Sequence, residues 1–97
     1  MATYLLAVFK IDDPSWTDEY FTKVPAIVRK HRGEYLAVSE RVRRREGDGP
    51  DPDGIALMAF PSMEAIEAFT TDPAYSPYRA ARLAGSSGDL FAFTTQD

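Results

Sequence analysis

The sequence predicts an α+β fold: one four-stranded antiparallel sheet with helices packed on a single face. Three observations lead there. Four segments read as strands and two blocks read as helical. The segments at residues 4–9 (Tyr-Leu-Leu-Ala-Val-Phe) and 55–60 (Ile-Ala-Leu-Met-Ala-Phe) show almost no apolar/polar alternation. A strand with one solvated face alternates, whereas one buried on both sides need not. The helical blocks can cover one face of those two strands. The 97 residues supply no second layer for the other face, which is therefore expected to receive another copy of the chain.

The first strand spans residues 3–11 and ends at Asp12-Asp13-Pro14. Either aspartate can cap a helix, with Pro14 in its first turn, where a missing N–H costs nothing. Trp16, Tyr20, Val24, Ile27, Val28 and His31 then follow at helical spacing. Pro25 removes the bond to the Phe21 carbonyl and should kink this helix without ending it. Gly33, after Lys30-His31-Arg32, is a C-terminal stop with cations at the negative end of the dipole. The second strand, read as 34–45, is the most polar. Leu36, Val38 and Val42 alternate with Ser39, Arg41 and Arg43, as suits a solvated edge. Residues 46–54 are a loop by composition. Their four acids do not match a calcium loop, because Gly49 and Phe60 would fall at its first and twelfth positions.

The third strand runs to Phe60-Pro61. Ser62 caps a short helix with Glu64 in its first turn and Ala65, Ile66 and Phe69 facing inward. Pro77 opens a further helical stretch to about Ala84, Gly85-Ser86-Ser87-Gly88 ends it, and Leu90–Thr95 forms the fourth strand. The order β-α-β-β-α-β with right-handed crossovers gives a ferredoxin-like sheet of spatial order 4-1-3-2. The two inner strands are then the two that are apolar throughout. Two alternation classes compete for the partner: Leu5, Ala7 and Phe9, grouped with Ile55 and Leu57, or Leu6 and Val8, grouped with Ala56, Met58 and Phe60. The sequence does not choose between them.

Composition narrows the function classes. One domain over residues 1–97 suffices for a single core. With no cysteine there is no disulfide, thiolate nucleophile or cysteine-ligated metal. The opening residues fit a strand and not a signal peptide, and no apolar run has the length of a membrane span, so a cytoplasmic location is expected. A net charge of −4 disfavours nucleic acid. The Arg41–Arg45 run opposes that only locally, as a solvated edge or a contact for an anion or a partner.

Several short segments together resemble a known family. They are Tyr4-Leu5-Leu6, Lys23-Val24-Pro25, Gly33-Glu34-Tyr35-Leu36, Glu46-Gly47-Asp48, Phe60-Pro61-Ser62-Met63-Glu64-Ala65, Pro73-Ala74-Tyr75 and Arg82. As a set they resemble the domain-of-unknown-function 1330 family over essentially the whole chain. The resemblance implies a dimeric α+β barrel, in which two ferredoxin-like sheets pack face to face and so supply the missing layer. The wider superfamily includes cofactor-free quinone-forming monooxygenases, muconolactone isomerases, haem-degrading enzymes and stress-induced proteins; fold alone does not choose among them. Ala59 stands where family members often carry a glutamate before the Phe-Pro pair. Chemistry that needs that acid would be missing here.

His31 is the one side chain expected to titrate near neutrality, and so the candidate general base. The plainer reading of a histidine in the last helical turn is a capping or surface residue. Metal ligation is not expected, because no second histidine or suitably spaced carboxylate accompanies it. Tyr75, Tyr78 and Arg82 fall at i, i+3 and i+7. An arginine beside phenols can bind a carboxylate or phenolate by charge-assisted hydrogen bonds. The competing reading is tyrosines packed on the sheet and Arg82 paired with Glu64, Glu67 or Asp72. Trp16, Tyr20 and Tyr4 are expected in the same cleft. The expected ligand-binding set is thus Arg82, Tyr78, Tyr4 and Trp16, with no cofactor and no metal. The function expected is a homodimer that binds a small aromatic or anionic molecule between helices and sheet. A cofactor-free monooxygenase- or isomerase-like enzyme and a non-catalytic stress or protein-interaction module are the alternatives.

Overall fold

The apolar runs at 4–9 and 55–60 become the two inner strands of the sheet. A computed structural model of the protein describes residues 1–96, so Asp97, within the expected domain, lies outside the described residues. In chain order the elements are β1 (Thr3–Ile11), a 3-10 turn (Pro14–Trp16), α1 (Thr17–Lys30), β2 (Glu34–Ser39), β3 (Gly54–Phe60), α2 (Met63–Thr70), α3 (Ser76–Gly85) and β4 (Ser86–Thr94). The sheet order is β2-β3-β1-β4 with every pairing antiparallel. This is the expected 4-1-3-2 arrangement. The helices lie on one face, and the principal extents of 35 × 32 × 17 Å are those of a two-layer slab.

Register decides which side chains lie under the helices. Leu5 opposes Met58, Ala7 opposes Ala56, Leu6 opposes Leu57 and Val8 opposes Ile55. Directly opposed residues share a face, so the expected grouping of the two classes is corrected. Leu5, Ala7 and Phe9 lie with Ala56, Met58 and Phe60 under the helices, and Leu6 and Val8 lie with Ile55 and Leu57 on the open face. A one-residue difference in register exchanges the classes, and neither strand alternates enough to reveal it. Burial follows the register: Leu5, Ala56, Met58 and Phe60 are buried together with Val24, Val28, Ile66 and Phe69 from the helices.

The start of α1 is built as its residues suggest. Asp13 accepts a hydrogen bond from Ser15 N at 2.9 Å, and Pro14 opens the 3-10 turn. The helix runs through Pro25 without a break and buries Val24 and Val28. At its end the left-handed residue is Arg32, with φ 65°, and not Gly33. Gly33 N donates to Val28 O and Arg32 N to Arg29 O, both at 2.9 Å, which closes a Schellman turn. Gly33 is needed instead for space. A Cβ there would lie 2.6 Å from the Phe60 ring and 2.7 Å from Val28 Cγ1. Gly33→Ala is therefore expected to cost about 1–3 kcal/mol by overpacking, read as a lower urea midpoint with an unchanged slope.

Two expected boundaries move. The second strand stops at Ser39, not at residue 45. Ser39 pairs with Ile55, one residue from the start of β3, so residues beyond it have no strand to pair with. Arg44 N instead donates to Asp51 Oδ1 at 2.7 Å, which folds the arginine run into the loop. A bulge between Tyr35 and Ala37 also breaks the expected alternation. The fourth strand begins at Ser86 directly after α3, not at Leu90. The Gly85 carbonyl accepts from Asp12 N and Asp13 N, both at 2.9 Å, and from Trp16 Nε1 at 3.2 Å. This junction clamps the end of α3 to the β1–α1 turn and leaves no intervening loop.

Candidate functional site

Between α1, α3 and the sheet the fold encloses a cavity of about 130 Å3. Its floor is the helix-facing row of β1 and β3, Leu5, Ala7, Ala56 and Met58, and its walls include Trp16, Tyr20, Phe21, Tyr75 and Arg82. The polar groups come from particular turns. Tyr75 precedes α3, so its ring packs inward against Phe69, with centroids 4.4 Å apart. Its hydroxyl meets that of Tyr20 at 2.7 Å. Arg82, two turns further along α3, brings its guanidinium beside both phenols. Trp16 is held by its bond to Gly85 O and meets Tyr20 edge-on at 5.2 Å.

These groups have defined ionisation. Burial, reinforced by the neighbouring Tyr75, holds the Tyr20 phenol well above its ordinary value. Burial also pushes Tyr35, another lining residue, up to about 12. Both are neutral hydrogen-bonding groups at physiological pH. Burial alone would lower the Arg82 guanidinium, but Tyr75 and Tyr20 outweigh it and the net direction is upward. Among the described residues Arg82 has no ion pair; Asp72 is paired with Lys30 and His31 instead. Asp89 also lines the cavity, but it opposes Val8 and so belongs to the open-face register. The cavity thus presents a cation and neutral phenols in an apolar setting, a combination that recognises an anion.

The expected site residues divide. Arg82 and Trp16 line this cavity together. Tyr78 packs against the core without lining it, and Tyr75 supplies the phenol. Tyr4 lies on the other face of the sheet, opposite Ala59 and Phe93, with its ring 5.4 Å from that of Phe93. Strand parity puts it there, since Leu5 points to the helices. Tyr35 of β2 lines the cavity too, as do Phe21 and Leu83, which are exposed apolar residues on helices and as such too common to signal a site.

His31 is elsewhere. Its Nε2 lies 2.7 Å from Asp72 Oδ2, which also accepts from Lys30 Nζ at 2.9 Å, and Asp72 Oδ1 accepts from Ala74 N at 2.9 Å. The cluster ties the end of α1 to the turn before α3. The bonds from His31, then Lys30 and Ala74 N, hold the Asp72 carboxyl well below the usual carboxylate range. A depressed folded-state pKa gives stability that is present above the unfolded value, about 3.9, and lost as pH falls below it towards the folded value. Asp72→Asn should therefore flatten the acid limb of stability below about pH 4 by up to about one proton per chain. Denaturant titrations at pH 7, 4 and 3 measure that slope.

The chain belongs to the family described as domain of unknown function (DUF1330), whose model matches residues 2–95. It has no match among curated proteins. A protein of unknown function from Rhodopseudomonas palustris, RPA0582, superposes with a TM-score of 0.83 at 14% identity, covering 99% of this chain and 83% of that one. SnoaB, a cofactor-independent oxygenase from Streptomyces nogalater, gives 0.66 at 17% identity over 99% and 94%. A DabB family protein with a ferredoxin-like fold from Mesorhizobium loti gives 0.71 at 12% identity over 99% and 98%. At these identities the likeness is one of fold, the ferredoxin-like fold of the dimeric α+β barrels. No helix among the described residues is long and apolar enough to cross a membrane.

Proposed function

We propose that this protein is a homodimer, joined through its open sheet faces, that binds a small anionic molecule in the cavity between α1, α3 and the sheet. The carrying observation is the half-buried Arg82 guanidinium, which faces a largely apolar cavity with phenols beside it and, among the described residues, makes no ion pair. A buried cation without a counter-charge is costly, and a bound carboxylate or phenolate removes that cost. Size limits the ligand. An apolar cavity of about 150 Å3 takes a benzene ring, so one of about 130 Å3 suits a single ring or a short chain. Binding is favoured over proton abstraction, because the cavity phenols Tyr20 and Tyr35 are held neutral and His31 is engaged with Asp72.

The test is a thermal-shift screen of single-ring carboxylates and phenols, beginning with benzoate. A ligand at 100 times its Kd stabilises by about 2.7 kcal/mol, which is roughly 10–20 °C in Tm for a domain of this size. Arg82→Gln should weaken the best carboxylate roughly ten- to a hundredfold, the worth of a hydrogen bond to a charged group. Equal binding by parent and variant would remove Arg82 from the site.

A further inference from the structure

This cavity keeps its phenolic groups and the Arg82 guanidinium inside, while three large apolar side chains stand exposed at its mouth beside Ser87 and Asp89 of β4. Tyr75, which meets the guanidinium, is only 2% exposed. Three other lining residues, Phe21, Leu83 and Leu90, are 40%, 52% and 41% exposed. They come from α1, α3 and β4 and so surround the opening from three elements. Large apolar side chains exposed together around a concave opening mark a binding surface. We infer that the ligand is an amphiphile that enters anion first: a monocarboxylate whose head meets Arg82, Tyr20 and Tyr75 and whose apolar tail covers Phe21, Leu83 and Leu90. This rests on the anion-binding reading above and adds the direction of entry and the chemical class. The cavity holds the head and the first few carbons, and the rest of the chain passes over the mouth. A free inorganic anion would leave the apolar mouth wet, and a neutral lipid would leave the guanidinium without a counter-charge.

The experiment is isothermal titration of the full chain with butanoate, hexanoate and octanoate and with the corresponding primary alcohols, below their aggregation limits. Each methylene buried at the mouth should tighten binding about fourfold, from roughly 0.8 kcal/mol per methylene. The alcohols should bind at least about tenfold more weakly than the acids of equal length, given the strength of hydrogen bonds to charged groups. Leu83→Ser alters an exposed position and should reduce the chain-length dependence while leaving the preference for acid over alcohol. Octanoate binding no more than twofold tighter than butanoate, with both lost in Arg82→Gln, would overturn the amphiphile and leave the anion site standing. An unchanged chain-length dependence in Leu83→Ser would place the tail elsewhere and overturn it as well. Should neither benzoate nor any alkanoate depend on Arg82, the anion-binding reading fails and takes this inference with it.

Discussion

Phe91→Lys is expected to leave a monomer at micromolar concentration where the parent forms the proposed dimer. Phe91 opposes Leu6, which opposes Leu57, which opposes Ala37, so one apolar row crosses all four strands on the face away from the helices. Tyr4 and Phe93 pack together in the next row, their rings tilted by 38°. Phe91 is 53% exposed in the single chain, so its replacement costs the isolated fold little. The 35 × 32 Å slab face offers roughly 1,000 Å2 per copy, the scale of an obligate interface. Two-fold symmetry would bury two lysines per dimer, each at a cost of several kcal/mol when unpaired. The dimer Kd should rise at least about a thousandfold, equivalent to ~4 kcal/mol. Sedimentation equilibrium of parent and variant measures it. A parent that sediments as a monomer would sink the dimer reading, whatever the variant does.

The parts of the fold legible in the sequence are those fixed by local chemistry. Asp13 and Ser62 cap where their side chains can reach a backbone N–H, at 2.9 Å to Ser15 N and 3.1 Å to Ala65 N. The stripe from Trp16 to Val28 lies on one helical face because spacing alone decides it. Sheet order was legible because, of the two orders that put both all-apolar strands inside, only 4-1-3-2 keeps β2 beside β3, the strand that follows it through a single loop. Register was not, since Leu5 and Leu6 are equally apolar and the parity of their pairing with Met58 and Leu57 depends on how the chain returns from β2. The same parity explains the candidate site. Arg82 and Trp16 were legible from helix positions, whereas placing Tyr4 required knowing which face of β1 the helices cover. The His31–Asp72 contact joins residues 41 positions apart, and no local pattern announces it.

Gly88→Ala should be among the most damaging single-methyl substitutions in the chain. Residues 85–88, Gly-Ser-Ser-Gly, read as the end of a helix, yet Gly88 sits inside β4 opposite Phe9, with φ 147°. Two costs add there. The backbone occupies a region that L-residues rarely enter, a strain of about 1–3 kcal/mol. A Cβ would also overlap the Val8 carbonyl oxygen and come within 2.7 Å of Phe9 Cα. Those atoms belong to the backbone of a central strand and cannot swing aside, so overpacking adds a similar 1–3 kcal/mol. Gly47→Ala separates the two effects. Gly47 also has a positive φ, 104°, but its nearest neighbour is the Arg44 guanidinium at 3.1 Å in an exposed loop, which can move. That variant should lose only the conformational part, about 1–2 kcal/mol. Gly88→Ala should lose about 3 kcal/mol or more, a Tm fall of roughly 12 °C or greater at equal protein concentration. Equal melting temperatures for the two variants would mean that strand pairing at Gly88 yields locally. The junction of β4 with β1, at the edge of the cavity, would then be softer than its hydrogen-bonded register implies.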